Sequence, residues 1–118
     1  MNEKTKQRLE ARARIIKAVA HPTRLFVVEE LSRQERCVCE LTEMIGADIS
    51  TVSKHLSILK AAGIIQDDKR GAQVFYCLKT PCILNFFKCV ESVLQESKVE
   101  SVVSESCPKK EKEFVHIG

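Results

Sequence analysis

Apolar and polar positions follow a helical period through most of this chain, most clearly from Asp48 to Ile65, DISTVSKHLSILKAAGII. Projected at about 3.6 residues per turn, Val52, Leu56, Leu59 and Gly63 share one face. Ser50, Lys54, Ser57 and Ala61 fall opposite, with Thr51 and Ile58 beside them. The run predicts an amphipathic helix that opens at a capping signal and stops at glycine. Just upstream, Leu41, Met44 and Ile45 stand at helical spacing within Cys39 to Ile45, and Gly46 closes that segment. A short helix, a turn through Gly46-Ala47-Asp48 and a longer helix make a helix-turn-helix. Residues near Glu3 to Val19 predict a first helix, and Pro22 suits the first turn of a second, with Leu25, Val28, Glu29 and Leu31 as its mostly apolar stripe. Thr80-Pro81 predicts the opening of a last long helix with Thr80 as cap. Its stripe of Ile83, Phe87, Val90 and Leu94 is widened by Cys82, Phe86, Cys89 and Val93, so it predicts packing on the core and on a second subunit.

Between the helices, Gln73-Val74-Phe75-Tyr76-Cys77-Leu78 mixes β-branched and aromatic residues. The polar stretch from Gln66 to Ala72 before it predicts the loop of a hairpin. The expected fold is therefore mainly α with a small β-hairpin: a winged helix-turn-helix, homodimeric. It is expected to occupy residues 1–97, followed by a flexible polar tail over 98–118, where composition turns to Ser, Glu and Lys.

Composition adjusts this picture modestly. At 118 residues the chain is one domain, small enough that pairing with a second copy helps it bury an adequate core. A net charge of +3 is weak for a nucleic-acid binder, yet Lys4, Lys6, Arg8, Arg12, Arg14 and Lys17 crowd the N-terminal segment. No apolar run follows the initial Met-Asn-Glu-Lys-Thr-Lys, and no stretch reaches the length of a membrane span. A cytoplasmic protein is expected, with six cysteines serving as thiols for metal or redox sensing rather than as a disulfide frame. The outer face of the 48–65 helix is small and hydroxylated, which suits close approach to a DNA major groove; an ordinary solvated helix is the competing reading. Ser50, Thr51, Ser53, Lys54, His55 and Ser57 are the candidate contacts to double-stranded operator DNA, and Lys69 and Arg70 at the hairpin tip are candidates for phosphate. His21, beside Pro22, reads as a cap or surface group. No phosphate loop, zinc-protease motif or catalytic pairing is present, so an enzyme is not expected.

In this order and spacing, Ala20-His21-Pro22-Thr23-Arg24-Leu25, Cys37-Val38-Cys39-Glu40-Leu41 and Ser50-Thr51-Val52-Ser53-Lys54-His55-Leu56, with Leu59 and Ala62-Gly63, are specific. The chain resembles the arsenic-repressor/SmtB family of metal-responsive winged-helix repressors over about Ile15 to Leu94. The resemblance implies a homodimer that occupies an operator and leaves it when a toxic metal or metalloid binds.

Cys37 and Cys39 are the candidate ligands. Residues two apart differ by about 200° around a regular helix but share a face in extended chain. Both thiolates reach one ion only if the helix start is irregular there. Thiolates select soft ions, and trivalent arsenic or antimony takes three sulfurs. Many arsenic sensors that the chain resembles carry a third cysteine where Thr42 stands here, so the third thiolate must come from elsewhere. Cys77 reads as structural, and Cys82 and Cys89 as residues of the dimer seam. Cys107, in a polar tail, is the candidate third ligand. The Asp/His and His/Glu sets of the family's zinc sensors are missing, since Cys82 to Lys98 contains neither histidine nor aspartate. The expected inducer is arsenite, As(III), or antimonite, Sb(III). A cadmium, lead or zinc sensor of the same fold, and a thiol-redox or persulfide sensor, are the alternatives.

Overall fold

A computed structural model of the chain describes residues 1–100, and their side chains as far as Glu96. In order they form α1 (Glu3–Val19), α2 (Pro22–Arg33), β1 (Arg36–Cys37), α3 (Val38–Ile45), α4 (Ile49–Ala61), β2 (Ile65–Arg70), β3 (Gln73–Leu78) and α5 (Ile83–Glu100). Each helix boundary in the first half has a local chemical cause. Asn2 caps α1 by accepting from Thr5 N at 2.8 Å. His21 caps α2 in the same way, its Nδ1 accepting from Thr23 N at 3.1 Å, and Pro22 follows with no N–H to leave unpaired. α3 stops at Gly46, whose φ of 79° is costly for any residue with a Cβ. Asp48 then opens α4, accepting from Thr51 N at 3.2 Å, from Thr51 Oγ1 at 2.7 Å and from the Ser50 hydroxyl. These bonds, led by the Ser50 hydroxyl, hold the Asp48 carboxyl at a pKa of about 2.

The apolar stripe of α4 is the centre of the core. Val52, Leu56 and Leu59 are fully buried, together with Leu41 of α3, Val27 and Val28 of α2, and Ile64 and Ile65 at the entry to β2. The sheet is antiparallel with order β1-β3-β2, and its registers run Arg36↔Tyr76 and Cys37↔Phe75 on one edge and Ile65↔Leu78 to Arg70↔Gln73 on the other. The hairpin closes in two residues, Gly71 and Ala72, with Gly71 at φ 64°. A glycine of positive φ in the first position matches the right-handed twist of the flanking strands.

The mainly helical winged architecture is as the sequence predicts, and four local expectations are corrected. The stretch 66–70 is strand rather than loop: its polar side chains are exposed, and cross-strand pairing with β3 overrides their low β-propensity. β1 is an unforeseen third strand. The inner stripe of α2 is Val27, Val28, Glu30 and Leu31, whereas Leu25, Phe26 and Glu29 are exposed. Glu30 can turn inward because Arg33 and Arg36 neutralise it. Thr80 does not cap the last helix: its hydroxyl donates to Gly63 O at 2.7 Å, and Lys79 N and Thr80 N both donate to Ile64 O.

Among the described residues, those from Cys82 to Glu100 belong to a second compact unit. Within it, Phe86, Val90, Val93 and Leu94 are exposed along α5, and the rings of Phe86 and Phe87 lie 6.2 Å apart. Among the described residues, no helix is long and apolar enough to cross a membrane.

Candidate nucleic-acid interface and thiol pair

Because Val52, Leu56 and Leu59 point inward, the other side of α4 is left to solvent, and Ser50, Thr51, Ser53, Lys54 and Ser57 come together there, all exposed. The Ser50 and Thr51 hydroxyls spend their hydrogens on Asp48 and so present oxygen lone pairs outward. Lys54 has no ion-pair partner among the described residues, whereas Lys60 is tied to Asp67 at 2.9 Å. That pairing, led by its hydrogen bond, raises the Lys60 pKa and lowers that of Asp67.

His55 stands apart from this face. It is half-buried, its Nδ1 lies 3.1 Å from Arg24 Nη1, and its ring centroid lies 4.5 Å from that of His21. A guanidinium only donates, so Nδ1 accepts and the neutral ring carries its proton on Nε2. Desolvation above all, then the charges of His21 and Arg24, push the His55 pKa below its ordinary value. Arg24 Nε meanwhile donates to Ala18 O at 2.7 Å, so one arginine ties the end of α1 and the start of α2 to α4.

The two wing residues proposed for phosphate separate chemically. Lys69 is exposed and in no ion pair among the described residues. Arg70 donates from Nη1 and Nη2 to the two oxygens of Glu35 at 2.6 and 3.0 Å, and from Nε to Asp68 at 2.9 Å. Its guanidinium also lies 4.8 Å over the Phe75 ring. The Arg70 hydrogen bond is the main reason that the Glu35 pKa falls, and Glu35 and Asp68 push the arginine's own pKa further up.

The thiol pair straddles the change from strand to helix. Cys37 is extended (φ −84°, ψ 164°), pairs with Phe75 and is only 6% exposed, whereas Cys39, one residue into α3, is exposed. The irregularity that shared coordination requires is therefore this junction itself, and the two sulfurs have different access to solvent. Cys37 N donates to Glu40 Oε1 at 3.0 Å, the capping-box contact, and that bond is the largest cause of the lowered Glu40 pKa. Arg36 donates from Nη2 to Glu30 Oε1 at 2.9 Å and from Nη1 to Glu40 Oε2 at 3.4 Å, and Arg33 donates to the other Glu30 oxygen at 2.9 Å. The Cys37 segment is thus held by an ionic network joining α2, β1 and α3. Thr42 turns its hydroxyl back to Val38 O at 2.7 Å.

Among the described residues, no three His, Cys, Asp or Glu side chains are grouped closely enough to hold a metal ion. Cys107 and His116 lie outside the described residues. Cys77 is half-buried in β3 and accepts from Gln66 Nε2 at 3.4 Å, while Cys82 and Cys89 are exposed. Sequence reasoning passed over Glu30, Arg36 and Glu40. The three-residue spacing from Cys37 to Glu40 is a capping-box signal that could have found the last of these. Nothing local pairs Arg24 with His55 or Glu35 with Arg70.

Comparison with known proteins places this geometry. The family model for the bacterial regulatory protein, arsR family, matches residues 21–67, from the cap of α2 into β2. The HTH-type transcriptional repressor SmtB of Mycobacterium tuberculosis is 39% identical over 70 residues, 59% of this chain and 52% of that protein. An HTH-type transcriptional regulator of Methanocaldococcus jannaschii is 33% identical over 88 residues, 74% of this chain and 99% of its own length. The cadmium resistance transcriptional regulatory protein CadC of Listeria innocua is 36% identical over 73 residues, 61% of each chain. Among solved structures, the homodimeric winged helix-turn-helix DNA-binding domain from Mycobacterium bovis superposes with a TM-score of 0.70 at 25% identity, covering 86% of this chain and 93% of that one. The chain spans about half the length of SmtB and three-fifths of CadC.

Proposed function

The chain belongs to the ArsR/SmtB family of winged-helix transcriptional regulators, and from that premise we propose that it is a homodimeric operator-binding repressor released by a soft ion held on cysteine thiolates. The observation that carries the inducible half is the position of Cys37 and Cys39 at the junction that holds α3, the helix on which α4 packs. The open face of Ser50, Thr51, Ser53, Lys54 and Ser57 enters the major groove, with Lys69 on the backbone, while His55 stays behind that face on Arg24. A two-fold dimer sets its paired α4 helices on half-sites about one helical turn, roughly 34–36 Å, or a multiple apart.

Cys37, Cys39 and Cys107 are the residues that would hold trivalent arsenic or antimony, whose chemistry is to accept three sulfur donors. In the resting chain Cys37 is buried and paired, so its thiolate joins Cys39 only by leaving that place. Its departure pulls on the backbone that pairs with Phe75 and that donates from Cys37 N to Glu40, and so loosens the first turn of α3. α4 then loses the support that sets its angle to the groove. Similarity to CadC favours a second reading in which cadmium, or its chemical relatives lead and zinc, is the inducing ion.

The test uses the reduced full chain on a duplex that the protein itself selects from a random-sequence pool. Arsenite, cadmium and a persulfide donor are titrated separately while binding is followed. Release by arsenite supports the leading reading, release by cadmium alone supports the second, and release by the persulfide donor alone makes the pair a redox sensor. Binding that survives all three refutes inducibility. Failure to select any duplex, or a Lys54→Ala variant that binds normally at every salt concentration, overturns the DNA-binding face itself.

A further inference from the structure

We propose that Arg70 does not contact operator phosphate and is instead the positioning residue through which the wing follows the Cys37 segment. The inference rests in part on the function proposed above, and deepens it by naming a route from thiol to wing.

Arg70 is already spent. Three of its five N–H groups go to Glu35 and Asp68, and one face of its guanidinium lies over Phe75. An incoming phosphate would have to displace a two-pronged carboxylate contact and would meet two carboxylates beside a single arginine, a local balance of −1. Lys69, next in the chain and in no ion pair among the described residues, has neither obstacle.

The partner of Arg70 gives the pairing its meaning. Glu35 lies two residues before Cys37, in the link between α2 and β1. The two strands of the wing therefore together hold three consecutive residues. β2 holds Glu35 through Arg70, while β3 pairs with Arg36 at Tyr76 and with Cys37 at Phe75. Phe75 serves twice, as partner of Cys37 and as the surface on which Arg70 stacks. A displacement of Cys37 is thereby transmitted to the hairpin as well as to α3.

The test compares the full wild-type chain with Lys69→Gln, Arg70→Gln, Arg70→Lys, Glu35→Gln and the Glu35→Gln/Arg70→Gln double variant on the selected duplex across a range of salt. Lys69→Gln should lower the salt slope by about one per protomer. Arg70→Gln should leave it unchanged, and Glu35→Gln should not tighten binding. Hydrogen exchange should show arsenite loosening residues 35–40 and the hairpin together in wild type. In both Arg70 variants, and no further in the double variant, the hairpin's response should fall to the part that the pairing of β3 with Arg36 and Cys37 transmits. Arg70→Lys keeps the charge but loses the fork and the stacking, so a phosphate contact would survive it and the coupling would not. A slope lowered by Arg70→Gln, with tighter binding by Glu35→Gln, overturns the proposal in favour of a phosphate contact. A hairpin response in Arg70→Lys as large as in wild type overturns the coupling. Should arsenite leave the wild-type complex intact, the inducer reading fails by itself, and the salt slopes still decide the role of Arg70.

Discussion

Replacing Glu30 by alanine probes the ionic network that holds the Cys37 segment. Glu30 is the one buried charged residue among those described, and its side chain is 7% exposed between Arg33 and Arg36, each at 2.9 Å. The two pairs are unequal. Arg33 is 67% exposed, and an ion pair so open to water contributes about 0–1 kcal/mol. Arg36 is 23% exposed, has a buried Nε without a partner, and would keep Glu40 at 3.4 Å and the Gln34 amide oxygen, which with its amide turned accepts from Nη2 and Nη1 at 2.7 and 3.1 Å. Stranding one member of a buried pair costs roughly 3–5 kcal/mol, and because Glu40 retains part of Arg36 the expected loss is about 2–3 kcal/mol. For a domain of this size that is a fall in Tm of roughly 6–15 °C. The assay is urea and thermal unfolding of the reduced full chain at a fixed protomer concentration, since the stability of a dimer depends on it. The double variant Glu30→Leu/Arg36→Met leaves no stranded charge and should be more stable than Glu30→Leu alone. A Glu30→Ala chain within about 0.5 kcal/mol of wild type, or a double variant as unstable as the sum of the singles, would refute the reasoning.

Three further outcomes are expected. The His55 pKa lies below its ordinary 6.5 in the folded chain, so the stability it confers is present above pH 6.5 and declines as the pH falls toward the folded value; His55→Gln should flatten that part of the stability profile, and a ring titration by NMR at or above 6.5 would contradict it. Val90, 44% exposed in the single chain, lies on the α5 stripe proposed to meet a second copy, so Val90→Glu should yield monomers or aggregates, and a soluble dimer of unchanged mass would show that this stripe packs elsewhere. Cys107→Ser should leave operator binding intact, impair the arsenite response and reduce the sulfurs seen by arsenic X-ray absorption from three; three persisting sulfurs would direct the search to Cys82 and Cys89.

The helical half of this fold was legible because burial leaves a period of about 3.6 in the sequence: Val52, Leu56 and Leu59 are buried where the wheel puts them, and α1 occupies its expected span. The strands were harder. β1 has two residues and thus no period, and β2 carries four charges in six residues because its outer side chains face water and each other. Thr80-Pro81 has the composition of a helix cap, yet a bond to Gly63, seventeen residues earlier, claims the hydroxyl. The site divides along the same line. The hydroxyl–lysine face follows from one helix and could be read from it. The commitments of Arg70 to Glu35, 35 residues away, and of His55 to Arg24, 31 residues away, depend on chain segments meeting in space.

The most direct test of an inducible repressor built on Cys37 and Cys39 is the arsenite-dependent release of the reduced protein from its selected duplex, compared across wild type, Cys37→Ser and Cys39→Ser. All three should bind the duplex with similar affinity before arsenite is added, since neither thiol lies on the α4 face. Wild type should then dissociate, and both variants should remain bound at concentrations that empty the wild-type complex. Variants that leave the duplex at the same arsenite concentration as wild type would contradict the assignment of the thiol pair.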